Sequence, residues 1–144
     1  MSILVSISFS KESLLSDKNL PKIEDGYIRY VLKLPPLKNE YRYKVELLIG
    51  KKMFIDGCNK YKLEGSVLDK DTYLLVESIG KMVSLSDFDC KDKKRDRFVS
   101  IKLSDRLFQP YSSKKDIILH IPKWYEVRYL IWQKSGDIQK AKNR

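Results

Sequence analysis

The chain has 144 residues, 42% of them apolar, which is enough for one domain whose core needs neither a metal nor a disulfide to fold. Lysine and arginine outnumber aspartate and glutamate by 29 to 19, so the surface field favours acidic partners. The sequence has neither the apolar run of about 20 residues that a membrane helix requires nor a convincing secretory signal. We therefore expect a soluble, cytoplasmic protein that does not contact a membrane.

Segments in which apolar and polar residues alternate dominate the chain, and they are rich in β-branched and aromatic residues. Proline and glycine separate these segments, as expected for strands joined by loops. A short turn of helix is expected at Ser10–Asp17, behind a serine cap. The predicted strands are Tyr27–Leu34, Tyr43–Ile49, Tyr73–Ile79, Phe98–Leu103, Ile117–Ile121 and Val127–Trp132. This pattern indicates an all-β sandwich or barrel.

The last predicted strand is apolar on both faces. One face carries Val127, Tyr129 and Ile131, and the other carries Arg128, Leu130 and Trp132. Such a strand either lies in the centre of its sheet or packs against a second molecule.

The sequence offers little that could support catalysis. His120 is the single histidine, and no residue nearby in sequence would orient it as a base, so we interpret it as a structural or surface residue. There is no glycine-rich phosphate loop, no dinucleotide-binding fingerprint and no Cys-x-x-Cys pair. Cys58 and Cys90 belong to no metal-spaced cluster. We expect no enzyme, no cofactor and no metal site.

The string Lys44–Gly50, KVELLIG, is followed in order by Asp56, Cys58, Asn59, Leu63 and Gly65. Cys90 and then Phe98-Val99-Ser100 come later in the chain. This order resembles that of the ecotin family of dimeric serine-protease inhibitors, and residues 98–144 align with the family without a gap. The matching residues there include Asp105, Tyr111, Ser113, Lys114, Pro122, Val127, Tyr129, Trp132, Ile138, Ala141 and Arg144. We expect an N-terminal extension at residues 1–19 and one domain at residues 20–144.

The resemblance implies an ecotin-like antiparallel sandwich or barrel of about seven strands, with long surface loops and a C-terminal dimerisation strand. It also implies an inhibitor that binds the active-site cleft of a trypsin-fold serine endopeptidase as a substrate that hardly turns over. The reactive loop corresponds to Val83, Ser84, Leu85, Ser86, Asp87, Phe88 and Asp89. Cys58, Asn59 and Cys90 would support it, the two cysteines as a disulfide; the alternative is two inert thiols in a reducing cytosol.

The residue that would enter the protease's primary specificity pocket depends on the alignment, because this loop is one residue longer than the family's. Counting back from Cys90 selects Asp87, whereas matching Val83-Ser84 to the family's Val-Ser selects Ser86. An aspartate would be unfavourable in an apolar pocket or against the acidic floor of a trypsin-like one. Serine fits sterically but fills little of any pocket. On the Ser86 alignment we expect small-pocket, elastase-like targets or weak inhibition.

Two further surfaces correspond to functional parts of the family. A secondary protease-binding loop would include Phe108, Gln109, Pro110, Tyr111, Ser112 and Lys114. The dimerisation strand corresponds to Glu126–Gln133, with Val127, Tyr129, Ile131 and Trp132 at the interface. An isologous homodimer would then bind two proteases, and each linked contact would raise the effective concentration of the next.

Two other interpretations remain open. The chain could be an ecotin-fold dimer that has lost inhibition, with an altered loop. It could also be a basic β domain that binds nucleic acid or another polyanion through Lys91–Arg97. The second interpretation explains the charge but not the aligned residues, so we do not expect a nucleic-acid partner.

Overall fold

The computed structural model describes residues 20–102 and 104–144, and the fold over this range is almost entirely β. The strands are β1 Tyr27–Leu32, β2 Tyr43–Ile55, β3 Tyr61–Asp69, β4 Leu74–Ser84, β5 Arg95–Ser100, β6 Phe108–Pro110, β7 Ile117–Pro122 and β8 Glu126–Gln133. Helical structure in the described residues is limited to two single 3₁₀ turns, Glu40–Arg42 and Asp105–Leu107. The expected all-β class is confirmed, with eight strands where about seven were expected.

Two sheets share the strands. One has the order β1-β7-β4-β3, and the other is organised around β2. Val45 of β2 pairs with both Gln109 of β6 and Ile131 of β8, so those two strands lie on opposite edges of β2. Gly50 likewise pairs with both β5 and β8. The sheets are not purely antiparallel, because β4 and β7 run parallel to each other.

A single apolar core receives side chains from both sheets. Its fully buried members include Leu47 and Ile49 of β2, Leu63 of β3 and Leu119 of β7. Alternation along β2 explains this placement, since its odd-numbered residues from Val45 to Ile49 face the core. Gly50 is required by packing: a Cβ there would lie 1.8 Å from the carbonyl oxygen of Val99. Any other residue at this position would push β5 away from β2.

The sequence located six of the eight strands but misplaced several ends. β2 and β4 extend several residues beyond the predicted ends, and β5 begins and ends earlier than Phe98–Leu103. Leu103 and the predicted turn at Ser10–Asp17 lie outside the described residues, and the boundary at residue 19 stays a prediction. β3 was missed because charged residues and a glycine interrupt its alternation, and the structure has irregular register at Gly65. β6 was missed because it is only three residues long.

The β3–β4 hairpin determines where the residues of the predicted reactive loop lie. Tyr61, at the start of β3, pairs with Ser84, at the end of β4. The segment that precedes β3 and the segment that follows β4 therefore leave the sheet at the same end, side by side. The backbone N–H of Leu85 continues this pairing by donating to the carbonyl oxygen of Lys60 at 2.7 Å.

Candidate functional site

The segment Leu85–Asp89 projects from the end of the β3–β4 hairpin. Leu85 and Phe88 expose 56% and 66% of their surface, and Asp87 and Asp89 are also exposed. Single apolar residues on a protein surface are ordinary, but an exposed leucine and an exposed phenylalanine this close together are typical of a binding surface. Val83 and Ser84, which we expected in the loop, are the last two residues of β4. The projecting loop is therefore shorter than the expected Val83–Asp89.

The side chain of Asn59 holds the loop from below. Its Oδ1 accepts hydrogen bonds from the backbone N–H of Phe88 at 2.6 Å and from the hydroxyl of Ser86 at 3.0 Å. Its Nδ2 donates to the carbonyl oxygen of Phe88 at 3.0 Å. One amide group thus fixes the two residues that flank Asp87.

Ser86 faces the protein rather than solvent. Its hydroxyl donates to Asn59 and also accepts from the backbone N–H of Lys60 at 2.9 Å, and the side chain is only partly exposed. The hydroxyl of Ser84 donates to the carbonyl oxygen of Ser86. The side-chain hydroxyl and the backbone carbonyl of Ser86 are therefore both hydrogen-bonded within the chain.

A disulfide joins Cys58 and Cys90, with their Cα atoms 5.7 Å apart. It connects the residue before Asn59 to the residue that ends the loop. The structure thus brings together all three residues expected to support the loop, Cys58, Asn59 and Cys90. Asp56, Cys58 and Cys90 lie close enough together to be considered as metal ligands. The two sulfurs are bonded to each other, however, so neither is a thiolate that could bind a metal ion.

Asp56 organises the support and was not assigned a role from the sequence. Its carboxylate accepts from the backbone N–H groups of Cys58 and Asn59 at 3.0 and 2.7 Å, and from the Tyr61 hydroxyl at 2.6 Å. The Tyr61 hydroxyl, followed by the Asn59 N–H, holds the pKa of Asp56 far below its ordinary value, although burial opposes this. A carboxylate three residues before an asparagine and five before a tyrosine was the available signal, but the sequence does not show that they converge.

The expected secondary loop lies at the other end of β2. Val45 pairs with Gln109 at one end, whereas Ile55 immediately precedes Asp56 at the other. At about 3.3 Å per residue, the part of β2 from Val45 to Ile55 is on the order of 30 Å long. The two candidate loops are therefore well separated on one rigid strand.

Only part of the secondary loop is available to a partner. Pro110 and Lys114 are exposed, Phe108, Gln109 and Ser112 are partly exposed, and Tyr111 is buried. The hydroxyl of Tyr111 donates to the carbonyl oxygen of Pro35, so this residue anchors the loop. A cleft of about 170 Å³ lies beside the loop, and its other wall is the β3–β4 turn that includes Asp69, Asp71 and Thr72. The sequence-based predictions assigned no role to that turn.

The candidate dimer strand β8 pairs with β2 along one edge. Its other edge pairs with no strand in the described part of the chain, so β8 is at the edge of its sheet. Tyr129, Ile131 and Trp132 expose 48%, 42% and 54% of their surface, and Val127 packs against the core. Of the two explanations for its apolar faces, a central position in the sheet does not hold. The indole N–H of Trp132 donates to Glu46 at 2.8 Å, which orients the ring across the neighbouring strand.

His120 lies far from the loop in sequence and is fully buried. Its Nδ1 is 2.9 Å from a carboxylate oxygen of Glu24, and its ring stacks on Tyr73 with the centroids 4.1 Å apart. These contacts tie the residues before β1 to the sheet, which is a structural role. Among residues 20–102 and 104–144, no helix is long and apolar enough to cross a membrane.

Comparison with known proteins agrees with this architecture. The family model described as Ecotin matches residues 16–134. The chain belongs to the ecotin family. The ecotin of Serratia proteamaculans (strain 568) is 34% identical over 142 residues, which cover 94% of this chain and 82% of that protein. The ecotin of Yersinia pestis (strain Pestoides F) is 36% identical over 128 residues, or 84% and 75% of the two chains.

Family membership supports the serine-protease inhibitor function that the sequence resemblance implies. It also fits the interpretation of the chain as a binding protein rather than an enzyme.

Proposed function

We propose that this protein inhibits trypsin-fold serine endopeptidases by presenting Leu85–Asp89 to the active-site cleft as a substrate-like loop. The observation that carries the proposal is the grip of Asn59 on Ser86 and Phe88. A protease cleft binds extended backbone, so a loop that is already ordered loses little conformational entropy on binding. The exposed side chains between and beside the gripped residues remain free to contact the enzyme.

The same support explains why such a loop would act as an inhibitor. If the protease cut the loop, Asn59 would still bind the residues on both sides of Asp87. The Cys58–Cys90 disulfide would keep the new chain end attached to the domain. The cleaved ends would therefore stay near each other and near the catalytic groups, so that release of product would be slow.

A second contact is proposed at the loop that contains Pro110, Ser112 and Lys114. These residues are accessible and are braced by Tyr111 beneath them. Ser113 adds rigidity, because its N–H and hydroxyl both donate to the carboxylate of Glu40. A distant second contact on a rigid body raises affinity without requiring an ideal residue in the primary pocket.

We also propose that the chain forms an isologous homodimer through β8. An open strand edge with exposed tyrosine, isoleucine and tryptophan side chains is a surface that a second copy could cover. A dimer would carry two reactive loops and would bind two proteases.

The cytoplasmic location stays a prediction. The disulfide is the feature least compatible with it, because such bonds persist mainly in oxidising compartments. Counting free thiols in protein recovered from its native compartment would decide the question.

Titration against trypsin, chymotrypsin and neutrophil elastase tests the proposal. We expect the parent protein or a variant to inhibit at least one enzyme, and one of the two substitutions Ser86→Met and Asp87→Met to improve inhibition, because methionine suits many pockets. Lys142→Ala, in the exposed C-terminal segment, is the control and should change nothing. If no enzyme is inhibited by the protein or by either variant, the inhibitor proposal fails and the fold would serve as a scaffold.

A separate binding experiment tests the alternative of a polyanion-binding domain. Binding to nucleic acid that weakens steeply with salt, and that is unchanged by a protease whose active site is blocked, would favour that alternative.

A further inference from the structure

The position of Asp87 within the supported loop identifies the residue that meets the protease's primary pocket. Asn59 contacts the residue before it and the residue after it, but leaves its side chain exposed. Asn59 hydrogen-bonds the residues on both sides of this position, so the residue between them has a fixed backbone and a free side chain. Such a side chain can enter a pocket without further ordering of the loop. That residue is Asp87.

Ser86 is poorly placed for the same task. Its hydroxyl already bonds to Asn59 and to the backbone of Lys60, so entering a pocket would break both contacts. The lost contacts would loosen the loop at the moment of binding, with no large side chain gained in the pocket. Leu85 and Phe88 are exposed, but they lie beside the gripped centre rather than at it.

The local charge points to the kind of pocket. The chain as a whole carries a formal net charge of +10, yet Leu85–Asp89 contains Asp87 and Asp89 and no cation. An aspartate is strongly unfavourable in an apolar pocket or opposite another carboxylate. A pocket that holds a lysine or arginine side chain would instead form a charge-assisted hydrogen bond with it.

Building on the proposed inhibitor function, we propose that Asp87 is the primary specificity residue and that the partner is a trypsin-fold endopeptidase that cleaves after acidic residues. The peptide bond presented to the enzyme is then Asp87–Phe88. Slow hydrolysis would break the C–N bond of that peptide. Water would supply the hydroxyl of the new Asp87 carboxyl group and the hydrogen of the new Phe88 amine.

The first experiment is an arginine scan against trypsin, whose pocket binds basic side chains. Leu85→Arg, Ser86→Arg, Asp87→Arg and Phe88→Arg are compared, each checked for folding by thermal unfolding and for an intact disulfide by thiol counting. We expect Asp87→Arg to inhibit trypsin about a hundredfold more tightly than the parent protein, and the other three to gain much less. A larger gain at another position would overturn the assignment to Asp87 but leave the inhibitor function standing.

The second experiment uses an endopeptidase of the trypsin fold that cleaves after glutamate and aspartate. The parent protein should inhibit it, and Asp87→Asn should weaken inhibition at least about tenfold, because the amide loses the charge but keeps the shape. If Asp87→Arg gains trypsin inhibition but the parent does not inhibit this enzyme, the partner class is wrong. If neither the parent nor any arginine variant inhibits any enzyme, the proposed function itself fails.

Mass spectrometry gives an independent test of the bond. After long incubation with the acid-preferring enzyme, followed by reduction of the disulfide, we expect fragments 1–87 and 88–144. Without reduction the two fragments should stay together, because Cys58 lies in one and Cys90 in the other. Cleavage after residue 86 or 88 would contradict the assignment.

Discussion

The loop Leu85–Asp89 and the strand β8 both expose large apolar side chains, but their backbones are held differently. In the loop, Asn59 bonds to Ser86 and Phe88 and the disulfide lies at the end of the segment, so its backbone is held. The side chains of Leu85, Asp87 and Phe88 remain exposed. β8 is bonded along one edge to β2, and its other edge is open in the described part of the chain. A fixed backbone with free side chains suits binding to a preformed cleft. An open strand edge suits the addition of another strand.

The largest expected effect comes from removing the disulfide. In Cys58→Ser/Cys90→Ser, the free energy of unfolding should fall by about 3–4 kcal/mol, the value expected for a loop of this length, because the unfolded chain gains freedom. Denaturant unfolding, with and without reductant for the parent protein, measures the change. Reduced parent protein should match the double variant. Equal stability of oxidised and reduced parent would show that the bond does not constrain the chain.

Removing the grip of Asn59 should damage inhibition more than stability. Asn59→Ala leaves the Phe88 N–H and the Ser86 hydroxyl without their partner, so the loop must be ordered on binding. We expect inhibition to weaken about a hundredfold while the free energy of unfolding falls by only about 1 kcal/mol. Asn143→Ala, in the exposed tail, is the matched control. Unchanged inhibition by Asn59→Ala would mean that the grip does not preorganise the loop.

The open edge of β8 predicts a smaller effect, confined to assembly. Trp132→Ala should weaken dimerisation about thirtyfold, or about 2 kcal/mol, with little change in monomer unfolding, since half of the side chain is exposed. Sedimentation equilibrium over a range of concentrations measures it. Trp124 is 90% exposed and lies outside β8, so Trp124→Ala is the control for loss of any exposed tryptophan. If both variants dimerise as well as the parent protein, β8 is not the interface.

Sequence periodicity predicted the two regions to different degrees. Alternation located β8 and its two apolar faces, because one strand's pattern is local and needs no partner to be recognised. It did not predict that β8 would be a sheet edge, since that depends on which strands pair. The loop was located from its resemblance to the family, but Ser86 and Asp87 could not be separated. The two residues differ in the direction of their side chains, because Ser86 bonds to Asn59 whereas Asp87 is exposed. Asn59 lies far away in sequence, and the alternation pattern does not encode this contact.

The same reason explains why Asp56, although it matched the family order, was given no role in supporting the loop. A carboxylate in a loop is ordinary in sequence, and only the fold directs the groups of Cys58, Asn59 and Tyr61 towards it. Gly50 shows the opposite case, because it matched the family string although the reason for it appears only in the close approach of Val99. Local pattern therefore predicted the strands, while the support of the site depended on long-range contacts.

The smallest expected effect is the pH dependence of the loop support. The pKa of Asp56 is far below its ordinary value in the folded protein, so Asp56 stabilises the fold fully only above its unfolded pKa of about 4. As pH falls from there through the lower folded pKa, that contribution is lost. The difference in unfolding free energy between the parent and Asp56→Asn should be constant from about pH 7 to pH 5 and shrink below about pH 4. Asn143→Ala, in the exposed tail, removes no titratable group and serves as the control. A difference between the parent and Asp56→Asn that grows on acidification would contradict the sign.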